Sequence, residues 1–151
     1  MLVNQNLPEI KVSFTPKSPV ADRHKITCSC DAIAILREIW NKETIHLYKE
    51  FYVIFLDRKN GIIGYRIMNI GSNCGTVVDI KLMFSIALQC NSSGIILSHN
   101  HPSGNTRPSR QDDELTKKIH NGAKLFELQL LDHIILTNDS HFSYMDEGRI
   151  V

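Results

Sequence analysis

The chain has 151 residues, a net charge of +1 and a hydrophobic fraction of 42%. That length fits one domain with its own core, since a chain of about 150 residues buries roughly two-thirds of the surface its unfolded form exposes. Near-zero net charge excludes a global pull toward nucleic acid or anionic membrane, and the ordinary composition excludes disorder and collagen-like repeats. No stretch approaches the ~18 consecutive apolar residues of a membrane span. Met1 to Lys17 has no apolar run of signal-peptide type, so a cytoplasmic protein with no membrane contact is expected.

The segment Met1 to Asp22 is polar and carries Pro8, Pro16 and Pro19; within it Ile10 to Phe14 alternates and reads as an edge strand. Asp31 to Trp40 places Ile33, Leu36, Ile39 and Trp40 on one helical face, with Ser29 or Asp31 as the cap. Glu50 to Leu56 is aromatic and β-branched, as a strand requires. Asp57 to Gly61 carries hairpin-turn residues, because Asn-Gly accepts positive φ, and Ile62 to Ile70 is the return strand. Gly71 to Gly75 reads as a turn, and Asp79 caps a helix over Ile80 to Cys90. Gly94 to Ser98 is a short buried strand, and Asn100 to Pro108 is a loop. Ser109 to Phe126 is a long helix, acidic early and basic late, in keeping with its dipole. Leu128 to Thr137 and His141 to Met145 are the last strands. Strands interleaved with helices, plus one hairpin, give an α/β fold with a mixed sheet.

Two histidines carry the chemistry. His99 and His101 stand two apart at the C-terminal end of an apolar strand, and in extended backbone residues i and i+2 face the same side. Both imidazoles therefore reach one metal ion, at the end of the sheet where α/β proteins bind ligands. A catalytic zinc takes three protein ligands and leaves one position open. Asp112, at the start of the next helix, supplies the third. Ser109-x-x-Asp112 is also a capping-box pattern, so helix capping alone explains that pair equally well. His133 among apolar neighbours reads as a structural histidine, and His24, His46, His120 and His141 have no partner spacing. The four cysteines, Cys28, Cys30, Cys74 and Cys90, are neither dense nor arranged as CxxC pairs; reduced thiols are expected. Cys74 and Cys90 read as small packing residues.

His99-x-His101, then Ser109-x-x-Asp112 after seven intervening residues, resembles the signature of the JAMM (MPN+) metalloproteases. The run from His99 to Gly104 with Pro108-Ser109-Arg110 is similar to the bacterial RadC-type branch. Glu50-Phe51 leading into Phe55 to Asn60, Leu131 to Ile135, and Phe142 to Tyr144 with Gly148 resemble the same branch. The resemblance runs from about Ile26 to the C-terminus, leaving residues 1–25 as an N-terminal extension. It implies a mixed, curved sheet flanked by helices, in the layered MPN/JAB and cytidine-deaminase style, with Zn²⁺ at the sheet's edge. It further implies zinc ligation by His99, His101 and Asp112, a general acid/base role for Glu50, and an oxyanion-steadying role for the Ser109 hydroxyl. Read from the residues alone, Glu50 is only a carboxylate at a strand start, and Glu43 and Glu127 are rival carboxylates.

The function so implied is zinc-dependent hydrolysis of amide bonds in a peptide or protein. A non-catalytic MPN interaction module is the alternative, distinguished by Glu50 pointing away from the metal's water. A DNA-repair-associated role is a further alternative, not favoured: RadC-type proteins usually carry an N-terminal helix-hairpin-helix region, and too few residues precede Ile26 to hold one. Arg107, Arg110, Lys117 and Lys118 read as a solvated loop and helix face. A nucleobase deaminase wants HxE and a later PCxxC, and a thermolysin-type peptidase wants HExxH on a helix; neither pattern occurs.

Overall fold

A computed structural model describes residues 8–71 and 78–150. Five strands form one sheet in the order β2-β1-β3-β4-β5: β1 (Lys49–Leu56), β2 (Ile62–Gly71), β3 (Gly94–Asn100), β4 (Gln129–Leu136) and β5 (His141–Ser143). β3 and β4 run parallel and every other pair is antiparallel, so the sheet is mixed as the sequence implies. Three helices flank it: α1 (Ser29–Ile39), α2 (Ile80–Gln89) and α3 (Arg110–Leu125).

Period-2 alternation divides the central strands between two cores. Phe51, Val53 and Phe55 of β1 and Ile95 and Leu97 of β3 pack with Met83, Phe84 and Ala87 of α2 and Ile119 and Ala123 of α3. Tyr52, Ile54, Leu56 and Ile96 point the other way, into a core with Ala32, Ile33 and Leu36 of α1. Trp40 stacks on Tyr52 there, ring centroids 4.0 Å apart, which fits its reading as a core residue. The arrangement is therefore α1, sheet, then α2 with α3. β1 and β3, covered on both faces, read as continuous apolar runs because neither face meets water.

The hairpin between β1 and β2 forms as expected. Asn60 takes φ 59°, and the Asp57 carboxylate accepts from the Lys59 and Gly61 amides, both at 2.9 Å. Arg23 holds the second Asp57 oxygen at 2.9 Å. Asp79 caps α2 by accepting from the Leu82 amide.

Four expectations meet a different outcome or none. Ile10 to Phe14 forms no strand; it is exposed, and no described strand offers it an edge partner. The N-cap of α1 is Cys28 rather than Ser29 or Asp31, while Asp31 accepts from the Thr27 and Cys28 amides. Cys28 and Cys30 are joined in a disulfide, not free thiols; the first turn of α1 brings their Cα atoms to 5.3 Å, within bridging range. The Gly71 to Gly75 turn and Cys74 fall largely outside the described residues, with Gly71 itself closing β2. Cys90 is free and half-buried, and burial raises its thiol's pKa.

The face of α3 that seats it on the sheet is Asp112, Thr116, Ile119 and Ala123. Ile119 is fully buried there. Ile119→Ala should lower stability by about 2–5 kcal/mol in thermal or denaturant unfolding; a loss under 1 kcal/mol would contradict this packing.

Candidate metal centre

β3 is bonded to strands on both sides, and its C-terminal end carries the site. Phe51 of β1 sits opposite His99, and Ile135 of β4 is the register partner of His99 on the other side. The strand continues far enough for the His101 amide to donate to the Leu136 carbonyl at 2.8 Å, then breaks at Pro102 and at Gly104, whose φ is +81°. His99 and His101 thus share one face, and the loop returns the chain to the start of α3. Ser109 is its N-cap: the Ser109 hydroxyl accepts from the Asp112 amide at 3.1 Å and donates to Asp112 Oδ2 at 2.7 Å. The Ser109 amide donates to the same oxygen at 2.7 Å. The capping box therefore exists, and it fixes Asp112 with its other carboxylate oxygen, Oδ1, turned toward His99.

Three ligand-type side chains meet there. His99 Nε2 lies 3.1 Å from Asp112 Oδ1, His101 Nε2 lies 3.3 Å from Asp112 Oδ2, and the two Nε2 atoms are 3.0 Å apart. All three residues are buried. The hydrogen-bond pattern behind them sets the imidazole tautomers. The Thr116 hydroxyl donates to the Asp112 carbonyl at 2.6 Å, because a carbonyl can only accept. Thr116 Oγ1 must then accept from His133 Nδ1, 2.5 Å away. His133 Nε2 is left with a lone pair, which accepts from His99 Nδ1 at 2.8 Å. On His101, Nδ1 donates to the Asn105 carbonyl at 2.7 Å. His99 Nε2 consequently carries a lone pair, and in a neutral His101 ring so does its Nε2; the two face each other and a carboxylate at contact distance. Such a set is repulsive unless a cation sits among it, and two imidazole nitrogens with a carboxylate oxygen suit a divalent transition ion.

Burial lowers the His99 and His133 pKa values, His133 further, which favours the neutral form of both relay imidazoles. Burial raises the Asp112 carboxyl, and the hydrogen bond that the Ser109 hydroxyl donates to Oδ2 opposes that by favouring the ionised form. His99, His101 and Asp112 form a group able to hold a metal ion; Cys28, Cys30 and Asp31 cluster as closely, but the disulfide occupies both sulfurs.

The structure brings four of the five expected site residues together and leaves the fifth apart. Glu50 shares the face of β1 with Tyr52, on the α1 side. Its carboxylate accepts from Thr44 at 3.2 Å and from the Tyr52 hydroxyl at 3.4 Å, and its amide donates to Asn100. Strand alternation is the reason: Phe51 faces His99, so Glu50 faces away, and the metal side falls to Lys49. Lys49, His101 and Ser109 line one open cleft of about 590 Å³. The rival carboxylates do not replace Glu50. Glu43 is exposed outside the cleft, and Glu127 follows α3 at the end opposite Asp112, about 20 Å away by helical rise.

A RadC-like JAB domain matches residues 26–149. The chain belongs to the RadC-like JAB family. Among its relatives, a UPF0758 protein of Flavobacterium johnsoniae is 39% identical over 124 residues, covering 82% of this chain and 53% of the relative. UPF0758 proteins of Fusobacterium nucleatum and Thermotoga maritima are 37% and 32% identical, over 77% and 72% of this chain and 50% of each relative. The chain thus spans about half the length of these relatives. The mixed sheet with three flanking helices agrees with a JAB-like fold. Among the described residues no helix is long and apolar enough to cross a membrane.

Sequence reasoning read His133 as structural, and it is; what it missed is that His133 and Thr116 orient His99. The signal was present only as i+4 spacing from Asp112 to Thr116 on one helical face. Residues that orient a metal-binding histidine typically support affinity by 10–100-fold. Thr116→Val, close to isosteric, should weaken Co²⁺ binding by about that factor in a titration followed by visible absorption; unchanged affinity would contradict the assigned relay.

Proposed function

We propose that this RadC-like JAB domain holds Zn²⁺ with His99, His101 and Asp112 and acts on amide bonds of a peptide or protein, in the manner of a JAMM metalloprotease. The observation that carries the reading is the convergence of two imidazole Nε2 atoms and a carboxylate beside an open cleft. A bound zinc ion supplies Lewis acidity and a water of lowered pKa. The chain's own contributions are local. His133 and Asn105 keep the two imidazoles in the tautomer that presents Nε2. The Ser109 hydroxyl stands at the cleft wall but donates to Asp112, so in this state it positions a ligand. To steady an oxyanion, as expected for it, the hydroxyl must release Asp112 and swing its proton into the cleft.

The position of Glu50 favours a second reading: a metal-holding interaction module without turnover. A carboxylate base near the metal's water is what hydrolysis needs, and β1 offers Lys49 on that side. The two readings diverge in one assay. Chelated protein, reloaded with Zn²⁺, is given peptides containing ordinary and side-chain amide bonds. The hydrolase reading expects cleavage that is lost in His101→Ala and Asp112→Asn. Stoichiometric zinc with no cleavage by the native chain, and cleavage gained in Lys49→Glu, would establish the module reading. A positioned general base is worth about 10²–10⁴-fold, which sets the size of that gain. Failure to bind zinc would overturn both.

A further inference from the structure

The cleft beside the His/His/Asp group is cationic in a chain whose net charge is only +1. Lys49, Arg107 and His46 line it, and no carboxylate does. Among the described residues neither Lys49 nor Arg107 joins an ion pair, whereas Arg23, Arg110 and Arg149 each pair with a carboxylate. Lys49 is half-buried and Arg107 exposed, and both border an open volume of about 590 Å³. An ammonium and a guanidinium bordering one cleft with no carboxylate between them suit an oxyanion.

We propose that this cleft receives a carboxylate or phosphate oxyanion of the bound molecule, gripped between Lys49 and Arg107, so that the domain selects ligands carrying an anionic group next to the bond presented to the metal. Lys49 and Arg107 are specificity residues here. The inference rests on the cleft being the substrate entrance of the function proposed above, and it gives that substrate its chemical class. It also accounts for a lysine on the metal-facing side of β1, where a carboxylate would repel such a ligand.

The test separates this claim from hydrolysis by removing the metal. The chelated chain is titrated with inorganic phosphate and, separately, with acetate, following backbone amide shifts of Ser103, Asn105 and Ser109 by NMR. Saturable shifts are expected with at least one anion. Saturation by acetate alone assigns a carboxylate, by phosphate alone a phosphoryl group, and by both the shared oxyanion chemistry. Lys49→Met and Arg107→Met should each weaken binding about tenfold, as loss of one charge-assisted hydrogen bond does, while Lys49→Arg should restore it. The zinc affinity of each variant should stay native, which shows that the site still folds. No saturation with either anion, or native affinity in both methionine variants, would overturn the proposal. A native anion titration alongside absent peptide cleavage would instead count only against the hydrolase reading.

Discussion

The hydrogen-bond relay from Thr116 through His133 to His99 is the constraint on which the site depends. It begins at a backbone carbonyl, which can only accept, and each later partner is thereby forced into one donor or acceptor role. The relay ends with a lone pair on His99 Nε2, aimed at its neighbours. Its members come from three elements: Thr116 and Asp112 from α3, His133 from β4, and His99 from β3. The parallel pairing of β3 with β4, and the seating of α3 over that pair, are what allow them to meet. The stacked ring of Tyr144 on His133, with centroids 4.9 Å apart, closes the relay from the remaining side. Tyr144 is anchored in turn by its hydroxyl, which donates to Asp113 at 2.8 Å.

This architecture explains why one residue, Asp112, serves two purposes without conflict. As N3 of α3 it accepts from the Ser109 amide and hydroxyl, which is worth about 1 kcal/mol to a helix terminus. Those same bonds use lone pairs on Oδ2 and set the carboxylate plane, so that Oδ1 faces His99. A helix cap and a metal-ligand mount are the same object here. The charge distribution of the site follows: an ionised carboxylate at its floor, two imidazoles above it, and cations lining the cleft.

Much of this was legible in the sequence. Element order followed from period and punctuation: every strand and helix expected between Cys28 and Ser143 is present, with ends differing by a few residues. The shared face of His99 and His101 followed from strand geometry alone, and the place of Asp112 from the helix start. What was not legible depends on contacts between distant segments. The role of His133 arises from β3–β4 register, which no local pattern specifies. The Ile10 to Phe14 alternation lacked any information about a partner edge. The Cys28–Cys30 bridge depends on the turn that starts α1. Glu50 is the most instructive difference. Resemblance placed a glutamate near the right strand start, but a one-residue offset in a strand reverses the face, and only pairing of Phe51 with His99 shows which face that is.

The central claim is that the relay presents an unprotonated Nε2 on His99 before any ion arrives. Long-range ¹H–¹⁵N correlation spectra of the imidazoles in chelated protein near neutral pH measure this directly. The account predicts that His99 and His133 are neutral and protonated on Nδ1. A proton on Nε2 of His99, or a doubly protonated His99 ring, would contradict it.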